Sequence, residues 1–147
     1  MLVSMSSLVI NVSNIISPLC YSLIRLEPYS DCVFRCTYCY ARWYRKLSGV
    51  ITIVKETLRE FKALAKYIYR KGLNPIPARL ATLSDPFQPH EELYKYSLSL
   101  LKVSLDYEYP IIINTKSVNY VKTPWRSYIE KLCERNLLVI QDIYINT

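Results

Sequence analysis

Four runs of strand character, the third of them β-branched, alternate along this chain with stretches of helical periodicity, and that alternation leaves few folds open. Residues 21–26, 78–83, 110–115 and 137–145 read as strands. Between them, residues 55–71 place Leu58, Phe61, Leu64, Ala65 and Ile68 on one face, with Gly72 as the stop. His90 opens a helix that continues through Leu93, Ser97, Leu100, Leu101 and Ser104. Residues 124–135 give another, with Thr123 as its N-cap and Pro124 in the first helical position. A helical turn at 41–46 ends at Ser48-Gly49. Strands joined through helices predict parallel βαβ units with right-handed crossovers. The expected class is α/β, a partial (β/α) barrel of about four parallel strands. The third run, bounded by turn signals, has the composition of a strand buried on both faces.

Sites in such folds collect at the C-terminal ends of the strands, and three marked segments stand there. After the first strand comes Cys32-Val33-Phe34-Arg35-Cys36-Thr37-Tyr38-Cys39-Tyr40, a loop short enough to bring Cys32, Cys36 and Cys39 onto one inorganic centre. A structural zinc site normally takes four protein ligands, and ferredoxins likewise give four thiolates to each cubane. Three local thiols would leave one iron of a [4Fe-4S] cluster with open coordination, where a small chelating molecule can bind. Ser84-Asp85-Pro86 follows the second strand, and Asn114-Thr115-Lys116-Ser117 ends the third. Asp85 before a proline suits a turn or a helix cap. Lys116 reads as an exposed loop lysine or as a contact to an anion. His90 reads as a helix-start residue, the alternative being a fourth metal ligand. Cys20 and Cys133 read as packed thiols.

The words around the thiols carry a resemblance. Cys-x3-Cys-x2-Cys with Tyr38 before the last cysteine resembles the cluster loop of the radical S-adenosylmethionine (SAM) superfamily. Glu27-Pro28-Tyr29-Ser30-Asp31-Cys32, Cys36-Thr37-Tyr38-Cys39-Tyr40-Ala41-Arg42, Thr82-Leu83-Ser84-Asp85-Pro86-Phe87-Gln88-Pro89 and Thr115-Lys116-Ser117 resemble, in order, segments of the spore photoproduct lyase-related branch. Asp31 stands where that branch has Gly, and Glu27 where it has Asn. The resemblance runs over residues 20–147, after an irregular lead-in at 1–19. It implies a partial radical SAM core, truncated relative to a full one. It also implies a [4Fe-4S] cluster on Cys32, Cys36 and Cys39 that chelates SAM at its open iron. One-electron cleavage of SAM would then give methionine and a 5′-deoxyadenosyl radical. Tyr38 inherits a place near the adenine, while Tyr40, Trp43 and Tyr44 are expected to shield the centre or pack in the core. A Gly-Gly-Glu segment common in the superfamily is absent, and Ser84, Asp85 and Gln88 occupy the corresponding stretch. Asp85 is the candidate acceptor for SAM's ammonium group, and Lys116 the candidate contact for its carboxylate. The implied partners are a one-electron reductant, a nucleic-acid substrate by family analogy, and a completing polypeptide or second copy.

Composition sets the remaining bounds. A formal charge of +7 and a pI near 9.2 suit an anionic partner, although the Lys and Arg residues are spread rather than run together. Five cysteines, an odd number, argue against a disulfide framework and for a reducing compartment, here the cytoplasm. The first residues lack the basic leading segment of a signal peptide, and no membrane association is expected. Two readings stand beside the enzyme: a non-catalytic iron-sulfur or zinc-binding module, and a basic nucleic-acid-binding domain with structural cysteines.

Overall fold

The computed structural model of the chain describes residues 24–44, 46 and 48–142. The predicted lead-in, Cys20, the first residues of the predicted first strand and the last of the fourth lie outside these described residues. In chain order the elements are β1 (Ile24–Leu26), α1 (Ala41–Tyr44), α2 (Lys55–Lys71), β2 (Ala78–Leu80), α3 (His90–Tyr94), α4 (Tyr96–Asp106), β3 (Ile111–Thr115), a 3-10 turn (Asn119–Val121), α5 (Trp125–Glu134) and β4 (Leu138–Asp142). The strands form one sheet in the order β1-β2-β3-β4, every neighbouring pair parallel. The α/β class and the parallel sheet expected from the alternation are therefore present. All four C-terminal strand ends consequently share one rim.

The core forms where strand alternation meets helix periodicity. Leu26, Ala78, Leu80, Ile111 and Ile113 point from one face of the sheet into a cluster with Phe61 and Ala65 of α2, Leu100 and Leu101 of α4, and Trp125, Ile129 and Leu132 of α5. Tyr109 meets Phe61 edge to face at 5.2 Å. Helix α2 occupies the predicted span, and Gly72 ends it at φ 61°, a left-handed conformation that costs glycine least. The N–H groups of Gly72 and Leu73 then satisfy the carbonyls of Tyr69 and Ile68.

Four expectations need correction. The single helix expected from His90 to Ser104 is two helices, broken at Lys95 with φ 50°. The break follows from Glu91, which is fully buried. Its carboxylate accepts the N–H groups of Ser97 at 2.9 Å and Leu98 at 2.8 Å, the first turn of α4. It also accepts the Trp125 indole N–H at 2.8 Å and the Tyr29 hydroxyl. One acid from α3 thus caps α4 and anchors α5, where a negative charge favours a helix start. Burial, reinforced by the Glu91 charge, holds the Tyr29 phenol far above its ordinary range. Second, α5 starts at Trp125 after a cis Thr123–Pro124 bond, with Pro124 rather than Thr123 at the cap position and no side-chain cap bond. The Trp125–Glu91 bond fixes this entry instead. Third, Cys133 is exposed, because Trp125, Ile129 and Leu132 define the buried side of α5 and Cys133 falls outside it. Fourth, β3 is not buried on both faces: Ile111, Ile113 and Thr115 are buried while Ile112 and Asn114 are half-buried.

Candidate functional site

At the C-terminal rim lies a cavity of about 310 Å³, lined from the first loop by Cys32, Phe34, Arg35, Cys36, Tyr38, Cys39 and Tyr40. Residues 81–85 after β2, Asn114, Thr115 and Lys116 at the end of β3, and Gln141 of β4 complete the wall with Arg79. All seven predicted site residues, Cys32, Cys36, Cys39, Tyr38, Ser84, Asp85 and Lys116, line this one cavity. His90 and Cys133 do not.

The thiol loop owes its shape to side chains from elsewhere. Asp31, buried just before the first thiol, accepts the N–H groups of Cys32 at 2.7 Å and Gly49 at 2.8 Å, with the Ser48 hydroxyl at 3.3 Å. Fully buried Gln88 donates to the Asp31 carbonyl at 3.1 Å and accepts the Val33 N–H at 3.0 Å. Within the loop, Cys39 N–H closes a turn onto the Cys36 carbonyl at 3.1 Å, and Arg35 takes φ 44°. Gly49, at φ 77°, passes so close to Arg35 that a Cβ would stand 2.7 Å from the guanidinium.

Two acids tie the neighbouring loops together. Glu27, at the end of β1, accepts the Thr82 N–H at 2.7 Å and hydroxyl at 2.6 Å, the Leu83 N–H at 2.9 Å and the Ser84 hydroxyl at 3.2 Å. Asp85 is buried and accepts the Phe87 N–H and Thr115 hydroxyl at 2.9 Å each, and the Lys116 N–H at 2.8 Å. Its bond to Phe87 is the turn expected of Asp before Pro, and its bonds to Thr115 and Lys116 join β2's loop to β3's. The Ser117 N–H also favours the charged carboxylate. Burial pushes the Asp85 carboxyl above its ordinary range, against the pull of those donors.

Lys116 is no bystander in its loop. Its ammonium lies 3.2 Å from Cys36 Sγ and 4.0 Å from the centroid of the Tyr38 ring. Burial opposes its charge, but the contacts with Tyr38 and Cys36 outweigh that and hold its pKa above the usual lysine value. Burial likewise raises the Cys32 thiol, reinforced by the charges of Asp85 and Cys36. Of the other ring residues, Tyr40 bonds the Thr82 carbonyl, whereas Trp43 is 88% exposed and neither shields the loop nor enters the core.

Sulfur donors are those that iron-sulfur clusters take. Cys32, Cys36 and Cys39 are all unpaired, half-buried and on the same cavity wall. Among the described residues no three His, Cys, Asp or Glu side chains are grouped as ligands of a single ion. A cubane distributes its thiolates over separate irons, and for that arrangement the donor set is suitable. The described residues include no helix long and apolar enough to cross a membrane.

Sequence reading left Glu27, Asp31 and Gln88 without these bonds. Apart from Cys32 beside Asp31, their partners lie between 17 and 57 residues away in the chain. Comparison of the chain with protein-family models, curated proteins and solved structures gave no match.

Proposed function

We propose that this chain is a radical SAM iron-sulfur protein whose Cys32, Cys36 and Cys39 hold a [4Fe-4S] cluster. One observation carries the reading: three thiols free of disulfide pairing, on the loop that follows β1, share a cavity with residues of β2, β3 and β4 and the loops after β2 and β3. When bound, the cluster and SAM supply one-electron cleavage of the sulfonium to methionine and a 5′-deoxyadenosyl radical, the electron coming from an external reductant. The chain's own residues bind and orient. Asp31 and Gln88 fix the thiol loop, and the Tyr38 ring with the Lys116 ammonium forms an amphipathic wall for adenine and carboxylate. Ser84 and Asp85 line the same space. The sheet is read as part of a (β/α) barrel completed by another polypeptide or a second copy. Unpaired thiols suit a reducing compartment, and the cytoplasm is the proposed location. A nucleic-acid substrate follows from the resemblance alone.

The test is anaerobic reconstitution with iron, sulfide and SAM under dithionite. About four irons per chain and release of 5′-deoxyadenosine are expected, with Cys36→Ala losing the iron and the visible absorbance. Zinc in place of iron would favour the metal-module reading. DNA affinity falling steeply with salt, without SAM cleavage, would favour the basic nucleic-acid-binding domain. A Cys36→Ala protein retaining wild-type iron would overturn the ligand assignment.

A further inference from the structure

The surroundings of the three thiols are unequal. Cys32 Sγ accepts the backbone N–H groups of Phe34 and Asp85, whereas Cys36 Sγ meets the Lys116 ammonium at 3.2 Å. Among the described residues no second cation is in contact with any of the three sulfurs. Lys116 is held at both ends. Asp85 accepts its backbone N–H at 2.8 Å, which fixes where the side chain leaves the end of β3, and the centroid of the Tyr38 ring lies 4.0 Å from its ammonium. A lysine is a point charge on a flexible stem, and here a ring face and a sulfur set where that charge stands. Cys36 and Lys116 are both half-buried on the cavity wall, where charges are screened less than on an open surface.

We propose that Lys116 is a positioning residue that acts through Cys36: its N–H···Sγ contact makes a cluster held by the three thiols easier to reduce. The inference rests on the function proposed above and deepens it. Hydrogen bonds to the sulfurs and nearby charge are among the levers that set iron-sulfur potentials. The electron taken from the reductant adds negative charge to the irons and their thiolates. A cation in contact with one thiolate therefore stabilises the reduced form more than the oxidised one. This effect is separate from any contact of Lys116 with a carboxylate and is present without SAM.

The test is a reductive titration of the full chain, reconstituted anaerobically without SAM, with the iron count and the electron paramagnetic resonance signal of the reduced cluster as readouts. Lys116→Met removes both the charge and the donor, and should weaken the reduction equilibrium about tenfold, equivalent to about 59 mV for a one-electron couple. Lys116→Gln keeps a donor without the charge and should fall part of the way. Lys116→Arg keeps both and should stay nearest to the wild type. Lys102→Met removes an exposed charge on α4, outside the cavity, and should leave the potential unmoved. A Lys116→Met protein with wild-type iron and wild-type potential would overturn the inference, as would an equal drop in Lys102→Met, which would assign the effect to net charge. Should Lys116→Met fail to fold or to take up iron, the other pair decides, and a potential no higher in Lys116→Arg than in Lys116→Gln would overturn it. A wild-type chain that takes no iron defeats the function proposed above together with this inference, whereas normal iron uptake with unmoved potentials defeats this inference alone.

Discussion

Ile113 and Asn114 are neighbours on β3, yet they belong to different regions. Ile113 is fully buried among helix side chains, whereas Asn114 is half-buried and lines the cavity. The same division runs through β2, where Ala78 and Leu80 enter the core and Arg79 lines the cavity. One face of the sheet packs on the helices and the other meets the cavity, because a strand turns successive side chains to opposite sides. Changes on the two faces should therefore separate stability from binding.

The largest contrast comes from that adjacent pair. Ile113→Ala leaves a void in the packed face and should cost about 2–5 kcal/mol in urea unfolding. Asn114→Ala removes a side-chain carbonyl with no hydrogen-bond partner among the described residues and should cost less than about 1 kcal/mol. Equal costs would break the comparison.

Between these extremes stands Asp85, which joins the two regions through the loops. Asp85→Asn turns an N–H2 group toward a backbone donor, so a loss of about 1–3 kcal/mol is expected. An unchanged unfolding midpoint would mean that the loops do not depend on this staple.

The smallest effect is a change of slope at high pH. Burial pushes the phenol of Tyr109 up to about 12, above the value near 10 of an unfolded chain. The raised folded value gives stability that is whole below about pH 10 and lost as pH rises through about 12. Tyr109→Phe should lose the Ile76 carbonyl bond but flatten the alkaline fall of the urea midpoint between those limits. An equally steep fall in the variant would place the titrating group elsewhere.

Legibility in the sequence followed the range of the forces involved. Helix α2 was legible because Leu58, Phe61, Ala65 and Ile68 repeat on one face and Gly72 punctuates them. The break at Lys95 was not, since apolar spacing runs through it and no Gly or Pro marks it. It arises from Glu91 reaching Ser97 and Leu98. Predicted site residues met in one cavity because βα alternation alone sends three loops to one rim. The pairing of Lys116 with Cys36 spans 80 positions, and no local pattern encodes it. The polar cavity face was hidden for another reason: single residues such as Arg79 are indistinguishable in sequence from solvated ones.

The anchoring of the thiol loop on Gln88 sets an order of events during synthesis. Gln88 holds Asp31 and Val33 from more than fifty positions downstream, so a nascent chain ending before it has all three sulfurs but not their cradle. Iron offered at that moment would meet an unshaped ligand set. On the function proposed above, insertion of a cluster would follow the emergence and folding back of the second strand and its turn.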